Sequence, residues 1–186
     1  MTQDQPLSEV IGDPVPGLHS GDATSWEQAL SRLGQQQTYW VATVRPDGHP
    51  HVRPVLGVWL DGLFYTSTSP GSRKGRNLDT DSRYVISVSS TALPAVDLVV
   101  EGVAARVLDE IELLTVAQAY DGKYSWEVEV QDGAFYGDGA PTAGPPPYHV
   151  YRVTPAVAYC FPGTEGGDAH GISEHGIITP TRWTFP

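Results

Sequence analysis

The sequence predicts a mainly β protein, an antiparallel barrel with a few peripheral α-helices. Three observations carry this. Alternating runs of β-branched and aromatic residues recur from residue 39 onward, separated by Asp-Gly, Pro and Gly turn signals. Helical periodicity is confined to two stretches. Many strands and few helices in 186 residues are then best accommodated by closing the sheet into a barrel, because closure removes exposed edges.

Residues 1–23 are rich in Pro, Gly, Asp and Ser without apolar periodicity, and are expected to form a mobile or surface-draped arm. Residues 24–186 are the right length for a single domain. In "TSWEQALSRLG", Thr24 and Glu27 match a capping box, Trp26, Ala29, Leu30 and Leu33 share one face, and Gly34 marks the stop. "YWVATV", the turn "RPDG", "PHVRPVLGVWL", the turn at Asp61 and Gly62, and "LFYTST" then make a β-meander. Pro54 lacks an N–H, so that side of its strand should face an edge, a bulge or a ligand.

"RYVISVSS" and "AVDLVVEGVAARVLD" extend the sheet, and "DEIELLTVAQAYDGK" reads as a second helix with Ile111, Leu114, Ala117 and Tyr120 on one face. The Gly and Pro density of "QDGAFYGDGAPTAGPPPY" argues against regular structure. Within it, residues 132–147 suit a lid over a pocket or a proline-rich partner motif equally well. Two strands, "YHVYRVTP" and "AVAYCFP", a loop "GTEGGDAHGISEHG" and the terminal "IITPTRWTFP" complete the chain.

With Lys+Arg 11 against Asp+Glu 22 and a net charge of -11, the chain as a whole repels nucleic acid and anionic membranes. An anionic partner must be held by a local cluster. The single cysteine, Cys160, excludes an intramolecular disulfide, and its apolar strand context marks it as a buried, inert thiol. No charged-then-apolar leader or membrane-length apolar run is present, so a soluble cytoplasmic protein is expected. His49 and His51 share a strand face, but with His149, His170 and His175 they give no metal-ligand spacing, and no metal is expected.

The local cluster is "PGSRKGRNL", residues 70–78. Gly71 and Ser72 offer backbone and hydroxyl donors at a helix start, Arg73 a bidentate fork and Lys74 a point charge. The set is the size of a phosphate monoester site.

"HVRPVL" at 51–56, "FYTSTSPGSRKGRNL" at 64–78, "DSRYVISV" at 81–88 and "VVEGVAARV" at 99–107 follow in order and spacing the pattern of the pyridoxamine 5′-phosphate oxidase-like, flavin-binding split-barrel family. The chain resembles that family over about residues 36–186. The resemblance implies an antiparallel split β-barrel, a homodimer with cofactor sites at the subunit interface, and hydride transfer between a bound FMN and a small organic substrate. The deazaflavin coenzyme F-420 is the alternative cofactor.

It further implies that Arg53, Pro54, Val55 and Leu56 run along the flavin toward its phosphate, with Tyr65 and Thr66 beside that phosphate. Ser72, Arg73 and Lys74 would clamp it, and Asn77 matches an asparagine of the deazaflavin-using branch. Arg182 and Trp183 loosely match a C-terminal segment that serves the partner's cofactor. No catalytic acid or base stands out, in keeping with chemistry carried by the cofactor. Tyr39, Trp59, Tyr124, Trp126 or Phe135 would wall the substrate. Asp97, where the true oxidases place a glutamine, and the absence of their C-terminal Arg-x-His argue against vitamin B6 oxidation. The other reading is a non-catalytic flavin or heme binding or storage protein on the same barrel.

Overall fold

A computed structural model describes residues 10–15, 23–90, 95–138, 144–162, 172–173, 176–177 and 180–186. The elements run β1 (Gly12–Pro14), α1 (Trp26–Gln35), β2 (Tyr39–Val44), β3 (Pro50–Val55), β4 (Val58–Leu60), β5 (Leu63–Thr68), α2 (Arg73–Leu78) and β6 (Arg83–Ser90). They continue with β7 (Val96–Arg106), α3 (Glu110–Tyr124), β8 (Glu129–Gln131), β9 (Ala134–Tyr136), β10 (His149–Pro162), β11 (Ile172–Ser173), β12 (Gly176–Ile177) and β13 (Thr181–Thr184). The fold is mainly antiparallel β, as the alternation predicts.

Two compact units divide the chain, one of Met1–Gln36, Ile86–Glu101 and Pro155–Pro186, the other of Gln37–Val85 and Gly102–Thr154. In the first, β13 is paired on both sides. Ala158 of β10 and Gly12 of β1 both lie opposite Trp183. Gly12 makes room for that indole, since a Cβ there would meet Trp183 Nε1 at 2.5 Å. Trp183 is fully buried, donates to Thr24 O at 3.2 Å and meets the Trp26 ring edge-on at 5.4 Å. Part of the N-terminal arm is therefore a strand, because it gives β13 a second ladder partner.

Ser25, one residue later than the capping box predicts, caps α1 by accepting from Gln28 N at 3.2 Å. Thr24 is diverted, its own N–H bonding Thr181 Oγ1 at 2.9 Å. Gly34 lies within the last turn of α1, and Gln36 is the C-cap. Trp26, Ala29 and Leu33 form the buried face as expected.

In the second unit, β2 and β3 form a hairpin with Trp40 opposite Pro54 and Thr43 opposite His51. Its outer strand β3 is an edge, which accommodates the missing Pro54 donor. Closure of the sheet is not achieved. The single strand expected over residues 50–60 breaks at Leu56 and Gly57, where backbone atoms serve side chains instead of a ladder. Leu56 O accepts from Thr66 Oγ1 and from Tyr120 OH, each at 3.1 Å. Gly57 O accepts from Tyr124 OH at 2.8 Å and from Lys123 Nζ at 3.1 Å. A Cβ on Gly57 would fall 2.2 Å from the Phe64 ring, so glycine is required there.

Helix α3 starts at the Asp109 cap and buries Leu113, Val116, Ala117 and Tyr120. Ile111 and Leu114, expected on the buried face, are 77% and 53% exposed. Both sets have helical spacing, and the fuller i, i+3, i+4, i+7 stripe took the core. The Gly/Pro-rich segment contains a hairpin that its density concealed: β8 and β9 pair about Asp132 and Gly133, both at positive φ, the geometry an Asp-Gly turn favours. Residues 139–143 of the proposed lid lie outside the described residues. The two late strands are one, β10, running through Pro155. Pro155 falls between the stretch paired to β5 and the stretch paired to β13.

Candidate anion and cofactor site

Strand alternation and one short helix build the site in the second unit. On β5, Thr66 and Thr68 share a face while Tyr65 takes the other. Thr68 and Ser72 hydroxyls meet at 2.8 Å, and Ser72 Oγ also accepts from Gly75 N at 2.9 Å. The serine is thus engaged in capping α2. Gly75 is obligatory, since a Cβ would lie 2.6 Å from Ser69 O and 2.8 Å from Pro70 O, both backbone.

Arg73 and Arg76 stand exposed, while Lys74 between them is 8% exposed. Among the described residues its hydrogen-bond partner is neutral, Ser67 O at 3.4 Å. Burial alone pulls its ammonium down to about 7. Asn77 is wholly buried. Its Nδ2 donates to Thr43 Oγ1 at 2.9 Å, fastening α2 to the β2–β3 hairpin, while its Oδ1 has no partner.

The hairpin contributes Arg53, exposed and donating from Nη1 to Val52 O at 2.9 Å. It also contributes two residues that sequence reasoning left out of the site. His51 is 6% exposed and lies in the field of Arg53, Arg45, Arg73 and Lys74. Arg45 holds a buried Nε without a partner. The signal for His51 was its strand face, two residues from Arg53, and that for Arg45 was the turn that brings it back beside the same strand. Orphaned cations and a buried acceptor in an acidic chain suit an oxygen-rich anion that also donates a hydrogen bond.

Some expected members are elsewhere. Tyr65 OH donates to Glu112 Oε1 at 2.9 Å, and Arg152 Nη1 joins the same carboxylate at 3.0 Å. The "YT" pair is split between two faces, and only Thr66 shares the face of Thr68. Pro54 and Leu56 are exposed on the edge hairpin and Val55 half-buried. Arg182 is exposed on β13, and Trp183 is committed to the aromatic core of the first unit.

The expected aromatic wall is mostly core. Tyr39 and Phe135 are fully buried, and Trp126 donates Nε1 to Asp138 O at 2.8 Å. Trp59 and Tyr124 remain half-exposed. His170 and His175 lie outside the described residues. Cys160 is buried and its thiol is pushed up to about 11 by that burial, as an inert cysteine requires.

The profile of the pyridoxamine 5′-phosphate oxidase family matches residues 25–161. The chain belongs to this family. No curated protein matches its sequence. Among solved structures, this family member is similar to a heme binding protein of Mycobacterium smegmatis, with a TM-score of 0.60 and 18% identity over 78% of the chain. It spans 57% of that protein's length. A conserved hypothetical protein of Mycobacterium tuberculosis gives a TM-score of 0.59 and 20% identity, covering 79% of this chain and 94% of the other. An F-420 reductase gives 0.50 and 22%, covering 69% and 93%. At such identities the likeness is one of fold, the split barrel of the pyridoxamine 5′-phosphate oxidase family.

Proposed function

We propose that the chain is a flavin-dependent oxidoreductase that holds FMN, or the deazaflavin F-420, by its phosphate and passes hydride between that cofactor and a small organic molecule. The observation that carries this is Lys74, a buried ammonium with no carboxylate against it among the described residues, which together with Arg53 and Arg73 sets a positive field at His51 in a chain of net charge -11. Burying a cation is costly unless something anionic compensates it, and a cofactor phosphate would. Arg73 and Arg53 would hold its oxygens, and Asn77 would keep α2 fastened to the hairpin beneath them. The bound ring supplies the redox chemistry; the chain binds, orients and excludes water. The family relation supports this reading, and the likeness in fold to an F-420 reductase keeps the deazaflavin in view.

The exposed side of the edge hairpin presents Trp40 and Val52, 54% and 47% exposed, and this apolar face supports the pairing of two copies into a homodimer. Among the described residues no helix is long and apolar enough to cross a membrane. A heme-holding role is the second reading, favoured by the fold relative that binds heme.

The test is a titration of ligand-free protein with FMN, riboflavin, F-420 and heme. FMN or F-420 should bind, riboflavin about 100-fold or more weaker than FMN, and Arg73→Ala with Lys74→Ala should erase that preference, since charge-assisted bonds contribute ~1.5–3 kcal/mol each. Tight heme binding with no flavin binding would replace the proposal with the storage role.

A further inference from the structure

His51 is a nearly buried residue, 6% exposed, on an edge strand. Every charged group acting on it is positive: Arg53 on its own strand, Arg45 at the hairpin turn, and Arg73 and Lys74 on α2. No Asp or Glu contributes. Its placement ties it to α2, for its cross-strand neighbour is Thr43, and Thr43 Oγ1 receives the Asn77 amide. Cations from three separate segments thus act on one imidazole.

We propose that His51 is a further anion-contacting residue of this site, and that the site takes up a proton together with a phosphate monoester. The proposal rests on reading the site as a phosphate clamp. Desolvation first, and then the four neighbouring cations, keep the empty site's His51 below its ordinary value, so it is neutral near pH 7. A phosphate monoester brings about 1.5 to 2 negative charges at that pH and reverses the field. The imidazole then gains a proton and a partner in one step, with both nitrogens able to donate. Lys74, which titrates at about 7 in the empty site, adds uptake in a higher window. Affinity for the phosphate group falls as pH rises through both windows.

The experiment is calorimetric titration of FMN into the wild type and His51→Gln at pH 6.5, in two non-phosphate buffers of different ionisation enthalpy. The difference between the proteins subtracts the proton change of FMN itself. Wild type should take up more protons than the variant, and the variant should bind about tenfold more weakly at pH 6.5, the contribution of one charge-assisted bond, with the gap closing by pH 8. Equal proton counts and parallel pH profiles, with FMN still bound by both, would overturn the role of His51 and leave the clamp standing. Failure of the wild type to bind FMN would overturn this inference, and failure to bind F-420 as well would remove the clamp with it. The His51 ring resonance of the wild type, followed by NMR with and without FMN, gives the same decision without a variant: its midpoint rises on binding, and an unmoved midpoint overturns the proposal.

Discussion

Lys74 carries opposite demands in stability and binding. In the folded chain it loses its proton near 7, and in the unfolded chain near 10.5. Between those values the unfolded state binds more protons, so stability should rise with pH across that window. Lys74→Met should remove most of this rise and give a more stable ligand-free protein at pH 7, while forfeiting the preference for FMN over riboflavin. Urea midpoints of the two proteins at pH 7 and pH 9 check this; Lys123, lowered to about 8 by partial burial, leaves a smaller rise in both. The identity of the clamp cations was legible because "GSRK" packs three polar types into four positions. That Lys74 is inside and Arg73 outside was not, since a helix of only six residues gives no periodicity from which to read a face. His51 was hidden for another reason: the histidines were weighed only for metal-ligand spacing, and the cations that act on His51 come from segments that folding brings near it.

At the level of elements, α2 depends on backbone contact. Gly75 sits against the Ser69 and Pro70 carbonyls, with no flexible side chain to give way. Gly75→Ala should displace α2 and detach Asn77 from Thr43, weakening FMN binding by about tenfold or more while the rest of the second unit keeps its stability within ~1–3 kcal/mol, the range of an overpacked contact. Thermal unfolding alongside an FMN titration separates the two effects. Turn and strand signals located most elements, since alternation and Asp-Gly dipeptides act locally. The break at Leu56 and Gly57 was not legible, because its cause lies far along the chain, in the hydroxyls of Tyr120 and Tyr124 on α3 that claim those carbonyls. The buried face of α3 was likewise decided by partners, two spaced stripes competing for one core.

For the molecule as a whole, the two units divide the labour. The residues proposed to hold the cofactor phosphate all belong to the second, whereas Trp183, expected to serve a cofactor, belongs to the packing of the first. Trp183→Ala should cost about 3–5 kcal/mol of stability, as the loss of a fully buried indole does, and leave FMN affinity per folded molecule unchanged. A loss of affinity in folded protein would return Trp183 to the site.

The pairing of β1 with β13 has a consequence for synthesis. Gly12–Pro14 leaves the ribosome well before its ladder partner Thr181–Thr184. The second unit draws only on residues up to Thr154, so it can assemble on the nascent chain while β1 is still waiting. During that interval an unpaired N-terminal segment and the half-made β10 ladder are both exposed. The proline that ends β1 and the acid at its centre, Asp13, are well suited to keeping such a segment from pairing with a neighbouring chain before its own partner arrives.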